Sequence, residues 1–241
     1  MTRIAIPARE RLIFAMDVPD ADAARRLADQ LGDSVQFYKI GLELFMAGGY
    51  FELLDWMVGR GKKVFVDLKF FDVPATVASA VRNLTNRGVT YATVHGNQGI
   101  MEAAAAAKGD VKILAVTVLT SLDRGDLDDL GFACDVEKLV LSRARRALEA
   151  GCDGVISSGL EAKTLREGVD DKLIVVTPGI RPVENRPSDD QKRVVNVEQA
   201  FANGADHIVV GRPIRDAADP RAAAEAIQQT IAGIFGTGAA K

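Results

Sequence analysis

Eight short apolar runs, each followed by a stretch with helical spacing, constrain this 241-residue chain more than any other feature. The runs fall at 12–17, 35–40, 63–68, 90–95, 111–118, 153–157, 172–177 and 206–210. Segments such as Leu173-Ile174-Val175-Val176 and His207-Ile208-Val209-Val210 lack polar alternation, as strands buried on both faces do. Helical spacing occupies 20–31, 43–59, 74–87, 97–107, 135–150, 160–167, 196–203 and 217–233. Gly32, Gly61, Gly88, Gly109, Gly151 and Gly204 stand after a helix and before a strand, where a C-terminal cap belongs. Eight right-handed strand–helix units close naturally into a parallel (β/α)8 barrel. A doubly wound open sheet is the alternative, but no glycine-rich Rossmann turn and no linker supports it. The expected organisation is one α/β domain over 1–241, with 1–10 a leading segment and 235–241 a disordered tail.

In such a barrel the active site lies at the C-terminal ends of the strands. Three consecutive strands end in charge. Leu12-Ile13-Phe14-Ala15-Met16 stops at Asp17, Val35-Gln36-Phe37-Tyr38 stops at Lys39, and Val64-Phe65-Val66 stops at Asp67-Leu68-Lys69. Residues two apart on a strand share a face, so Asp67 and Lys69 are expected to point the same way and Leu68 the opposite way. A lone pair of this kind could be a structural ion pair. Four charges of alternating sign on neighbouring strands are hard to explain as packing, and such clusters are where chemistry concentrates. Asp72 follows within a turn, and Pro74 suits the start of the next helix.

The opposite side of the same rim has the features of an anion site. Strand 8 runs into Val210-Gly211-Arg212-Pro213-Ile214, where glycine permits close backbone approach and Arg212 offers a fork to oxyanions. The longest polar connection follows strand 7, from Thr177-Pro178-Gly179-Ile180-Arg181 to Gln191-Lys192-Arg193. A loop of that length in a compact barrel is read as a lid, with Arg181 and Gln191 reaching a phosphate held beside Gly211 and Arg212. The expected ligand is a phosphorylated small molecule whose reacting end meets the Asp/Lys cluster. No metal site is expected, because a lysine among carboxylates competes with a divalent cation. Net charge is −3, so no basic footprint points to nucleic acid or an anionic membrane. No run of 18 apolar residues is present, and the N-terminus meets charge too early for a secretory segment; the expected location is the cytoplasm. Cys134 and Cys152, the only cysteines, read as reduced thiols.

The stretch Asp67-Leu68-Lys69-Phe70-Phe71-Asp72-Val73-Pro74-Ala75-Thr76 resembles the D-x-K-x-x-D-I-P-x-T signature of the orotidine 5′-phosphate decarboxylase family. The resemblance extends along the chain through Tyr38-Lys39-Ile40-Gly41, Val118-Leu119-Thr120-Ser121, Thr177-Pro178-Gly179-Ile180-Arg181-Pro182, Asp190-Gln191 and Val210-Gly211-Arg212-Pro213-Ile214. Val73 stands where isoleucine is common and Phe71 where bacterial relatives often have histidine; neither departure touches a charged position. The resemblance implies conversion of orotidine 5′-phosphate to UMP and carbon dioxide, without cofactor or metal. It implies that Lys69 donates the proton, that Asp67 lies against the leaving carboxylate, and that Lys39 and Asp72 complete the charged array. It implies a homodimer in which Asp72 and Thr76 cross into the neighbour's site. Asp17 and Lys39 would hold the ribose hydroxyls, Thr120 and Ser121 the pyrimidine edge, and Arg181, Gln191, Gly211 and Arg212 the phosphate.

Two rivals accompany this reading. One is a magnesium-dependent phosphosugar decarboxylase or aldolase relative on the same barrel, separable by metal dependence. The other is a non-catalytic phosphoribosyl-ligand binder, which would bind nucleotide without turnover. His95 ends strand 4 on the functional face and is expected to hydrogen-bond behind the site rather than act directly. His207 starts strand 8 at the opposite end and is expected to be structural. The acidic stretch containing Asp123, Asp126, Asp128 and Asp129 is expected to be a solvated loop.

Overall fold

The computed structural model describes residues 5–181 and 194–236. Eight parallel strands close on themselves in chain order: β1 (Leu12–Ala15), β2 (Phe37–Gly41), β3 (Lys63–Phe70), β4 (Val89–His95), β5 (Lys112–Val116), β6 (Gly154–Ile156), β7 (Ile174–Thr177) and β8 (His207–Val210). Pairing of Leu12, Ile13 and Phe14 with Ile208, Val209 and Val210 seals the barrel. Strand alternation divides the apolar residues between two cores. Ile13, Ala15, Phe37, Phe65, Tyr91, Leu114, Ile174, Val176 and Val209 fill the interior, while Leu12, Phe14, Tyr38, Val64 and Val66 belong to the larger core outside it. Burial on both faces explains why the strands read as continuous apolar runs.

The helices begin where capping chemistry permits. Asp20 accepts a hydrogen bond from Ala23 N at the head of Ala21–Leu31, and Asp135, Asn196 and Asp219 do the same for Val136–Glu149, Val197–Ala202 and Pro220–Phe235. All six glycines assigned to C-terminal caps have positive φ. Two expectations change. The helix expected over 43–59 is two helices, Leu42–Ala47 and Tyr50–Gly59, because Gly48 and Gly49 stand at φ +85° and +68° and interrupt the right-handed spiral. The acidic stretch after β5 is not a simple solvated loop but contains a short helix, Arg124–Asp129. Asp123 accepts from Asp126 N, and Asp126 in turn accepts from Asp123 N at 2.7 Å, a reciprocal cap. A further short helix, Arg212–Arg215, precedes Pro220–Phe235. The tail beyond Gly236, the first four residues and the stretch 182–193 lie outside the described residues. Among the described residues no helix is long and apolar enough to cross a membrane.

Candidate active site

The charged strand ends converge at the C-terminal mouth of the barrel. Asp67, within β3 opposite Gly41, is buried and holds both lysines: its Oδ2 lies 3.3 Å from Lys39 Nζ and 3.0 Å from Lys69 Nζ. Lys39, from β2, also reaches Asp17 Oδ1 at 3.2 Å. The result is a continuous chain, Asp17–Lys39–Asp67–Lys69, of alternating sign. Burial opposes ionisation of Asp67, but Lys39 and Lys69, with hydrogen bonds from Lys69 and Thr93, more than offset it and hold its pKa below the usual carboxylate range. Burial likewise opposes the charge on Lys39, and Asp67 and Asp17 override it, raising that ammonium's pKa. Both groups therefore stay charged even though Asp67 is buried and Lys39 nearly so.

Asp67 and Lys69 do share a destination, but simple strand alternation does not bring them there. Val66 pairs with Ala92 and Phe70 with Val94, so the four residues 67–70 advance the register by only two on β4. Lys69 takes up the excess with φ +48°, one of two positive-φ non-glycine residues among those described. Its N–H donates to Thr93 Oγ1 at 3.0 Å, and Leu68 turns outward to the outer core. A bulge beside a cluster of charges re-aims a side chain, and here it aims the Lys69 ammonium over Asp67.

A cavity of about 300 Å³ opens above the cluster. Of the residues expected to bind or react, Asp17, Lys39, Asp67, Lys69, Thr120, Arg181, Gly211 and Arg212 all line it. Phe65, Val116, Ile156 and Val209 supply its apolar floor. At Gly211 an added Cβ would approach the Ala15 Cβ to 3.3 Å, so glycine keeps the passage between β8 and β1 open. Gln191 lies outside the described residues, as does most of the loop expected to form a lid. Asp72 and Thr76 are not in this cavity. Asp72 is exposed, accepts from Val73 N at 2.6 Å, and with Thr76 lines a separate surface groove shared with Leu42, Phe45, Leu68, Phe70, Phe71, Val77 and Ala80. His95 lies outside the cavity too. It meets Asn97 Oδ1 at 2.7 Å and stacks against Phe71, with ring centroids 4.5 Å apart.

Two participants escaped the sequence reading. Arg215 lines the cavity, donates to the Asp17 carbonyl at 2.8 Å and is forked onto Asp216. Its position three residues after Arg212, on one helical turn, was the available signal. Thr93 lies behind Asp67, and a hydroxyl on the inward face of β4, between Ala92 and Val94, was the signal there.

The chain is similar to known proteins along most of its length. The family model described as "Orotidine 5'-phosphate decarboxylase / HUMPS family" matches residues 10–227, a span that includes all eight strands. The chain belongs to this family. Its description joins two groups, and similar relatives carry the first name. An orotidine 5′-phosphate decarboxylase of Methylococcus capsulatus is 67% identical over 97% of this chain and 96% of the relative. One of Stenotrophomonas maltophilia is 55% identical over 96% and 98%. Among solved structures, the orotidine 5′-phosphate decarboxylase of Lactobacillus acidophilus superposes with a TM-score of 0.80 at 35% identity, covering 92% of this chain and 99% of that one. Within the orotidine 5′-phosphate decarboxylase / HUMPS family, this chain is therefore similar to the orotidine 5′-phosphate decarboxylases over nearly its whole length.

Proposed function

We infer that this chain is an orotidine 5′-phosphate decarboxylase, releasing carbon dioxide to leave UMP, in the synthesis of pyrimidine nucleotides. The observation that carries the reading is the chain of alternating charges, Asp17–Lys39–Asp67–Lys69, at the floor of the cavity. Breaking the bond from an sp² ring carbon to its carboxylate leaves an electron pair on that carbon with no adjacent sink. A fixed ammonium beside it is the stabiliser this site offers, and Lys69 can also supply the proton that forms the new C–H bond. The Lys69 amine then regains a proton from water. Asp67 faces the departing carboxylate, and the repulsion between them ends when that group leaves as neutral carbon dioxide. These charges are oriented before substrate arrives, so little reorganisation accompanies the reaction. Asp17 and Lys39 suit ribose hydroxyls and Thr120, with Ser121 next to it, the pyrimidine edge. Arg181, Gln191, Gly211 and Arg212 suit the phosphate, whose binding energy can orient the reacting end. All the work falls to side chains, with no metal or organic cofactor.

The reading includes a cytoplasmic homodimer in which Asp72 and Thr76 enter the neighbouring site. Support comes from the groove that holds them: Leu42, Phe45 and Phe71 are large apolar residues left exposed in it, and exposed Val73 follows Asp72 in sequence. Contiguous exposed apolar surface of this kind marks an association site. The stacking of His95 on Phe71 steadies the loop that presents Asp72.

The test is the loss of orotidine 5′-phosphate absorbance in excess EDTA, with Lys69→Ala assayed alongside. Rapid loss with wild type and none with the variant is the expected result. Turnover that appears only after magnesium is added would instead assign the chain to the metal-dependent relatives, and UMP binding without turnover would make it a binder.

A further inference from the structure

We propose that Thr93 is a positioning residue for the decarboxylation, fixing the Asp67 carboxylate and the Lys69 backbone in one arrangement through a single hydroxyl. The proposal rests on the decarboxylase reading of the site. Thr93, on β4, is fully buried and does not line the cavity, so it touches no ligand. Its Oγ1 donates to Asp67 Oδ1 at 2.9 Å and accepts from Lys69 N at 3.0 Å. The polarity is unambiguous. A backbone N–H can only donate and an ionised carboxylate can only accept, so the single hydroxyl proton must point at Asp67.

Two consequences follow. With Oδ1 committed to Thr93, the carboxylate plane is set and Oδ2 is left to face both Lys39 Nζ and Lys69 Nζ. The bond to Lys69 N, meanwhile, ties down the residue that stands at φ +48°, where an L side chain is disfavoured and the backbone would otherwise relax. Strain of this sort persists only when the surroundings hold it in place. The register gap opposite Thr93, between the Val66–Ala92 and Phe70–Val94 pairs, leaves its hydroxyl to do what ladder bonds do elsewhere. One hydroxyl therefore sets both ends of the Asp67–Lys69 pair, and with it the direction of the ammonium.

The experiment compares wild type, Thr93→Val and Thr93→Ser for kcat, KM, UMP affinity and the pH dependence of kcat. Valine keeps the shape and removes the hydroxyl; serine keeps the hydroxyl. Thr93→Val is expected to lower kcat roughly 10- to 100-fold, in line with losing a group that orients a reacting one, with KM and UMP affinity within about 2-fold of wild type. Thr93→Ser is expected to recover kcat to within about 3-fold. The acid limb of kcat should move to higher pH in Thr93→Val, because Asp67 has lost a donor to its charged form. Thr93→Ala takes the place of Thr93→Val if the latter does not fold, with the same split required. Wild-type kcat in the hydroxyl-free variant would overturn the proposal, as would parallel losses of kcat and UMP affinity. Wild-type turnover in the same series keeps the claims apart: its absence defeats the decarboxylase reading, whereas unaltered kcat in Thr93→Val defeats the role of Thr93 alone.

Discussion

Lys69 carries the sharpest conflict between local preference and position. A left-handed backbone costs an L residue about 1–2 kcal/mol, and glycine nothing comparable. Lys69 occupies that region at φ +48° while its ammonium sits 3.0 Å from Asp67. Two truncations separate these demands. Lys69→Ala and Lys69→Gly both remove the amine and should both be inactive, but only glycine relieves the backbone. After glycine's greater freedom in the unfolded chain is subtracted, Lys69→Gly should be more stable than Lys69→Ala by about 0.5–1 kcal/mol in urea denaturation. An alanine variant as stable as the glycine one would mean that the backbone there is not held in the left-handed region. The identity of the charged residues was legible from sequence, since each ends an apolar run. The device that aims Lys69 was not, because nothing in Asp67-Leu68-Lys69 distinguishes a bulge from regular alternation. Thr93 was visible only as a polar residue on the inward face of β4, and its two partners become evident once β3 and β4 are paired.

At the scale of elements, what the sequence disclosed depended on whether a local rule acts alone. Strands β1 to β8 were legible because burial on both faces demands continuous apolar runs, and the charges at their C-terminal ends fell on one rim because parallel strands share a direction. The place of Gly211 and Arg212 was legible for the same reason: they directly follow β8, and both line the cavity. Helices were less faithful. Apolar spacing ran straight through Gly48-Gly49, yet two successive left-handed residues end the helix at Ala47 and a new one starts at Tyr50. The acidic stretch 123–129 read as solvated because its charges outweighed its one signal, the Asp123–Asp126 spacing of a reciprocal cap. Asp72 shows where the reading of a single chain stops. It follows the cluster within a turn in sequence and was expected to serve a neighbouring site, and the turn before Pro74 places it in the apolar groove rather than in its own chain's cavity.

At the scale of the whole molecule, the two ends of the barrel divide function from stability. At the N-terminal end, His207 is buried; its Nε2 lies 2.9 Å from the Tyr91 hydroxyl and its Nδ1 2.9 Å from the Glu10 carbonyl. The carbonyl can only accept, so Nδ1 carries the proton, and Nε2 accepts from Tyr91. Burial, with Arg11 and Lys63 adding to it, lowers the His207 pKa to about 4. An unfolded histidine titrates near 6.5, so above that pH neither state is protonated and the full stability is present. Between pH 6.5 and 4 the unfolded chain takes up a proton that the folded one refuses, and stability should fall by about 3 kcal/mol. Denaturant titrations across this range should show the decline in wild type and its disappearance in His207→Asn. A decline of equal size in the variant would assign it to other groups.

At the opposite end, the proposed decarboxylase has its charged array completed by Asp72 of a second copy and works without metal. Mixing Lys69→Ala with Asp72→Ala, each unfolded and refolded together in excess EDTA, tests this most directly. A mixed dimer has one site with both residues intact and one with neither. Each variant alone should be inactive, and the equimolar mixture should recover about a quarter of wild-type decarboxylation by random pairing. A mixture that forms mixed dimers yet stays inactive, or recovers only when magnesium is supplied, would contradict the account.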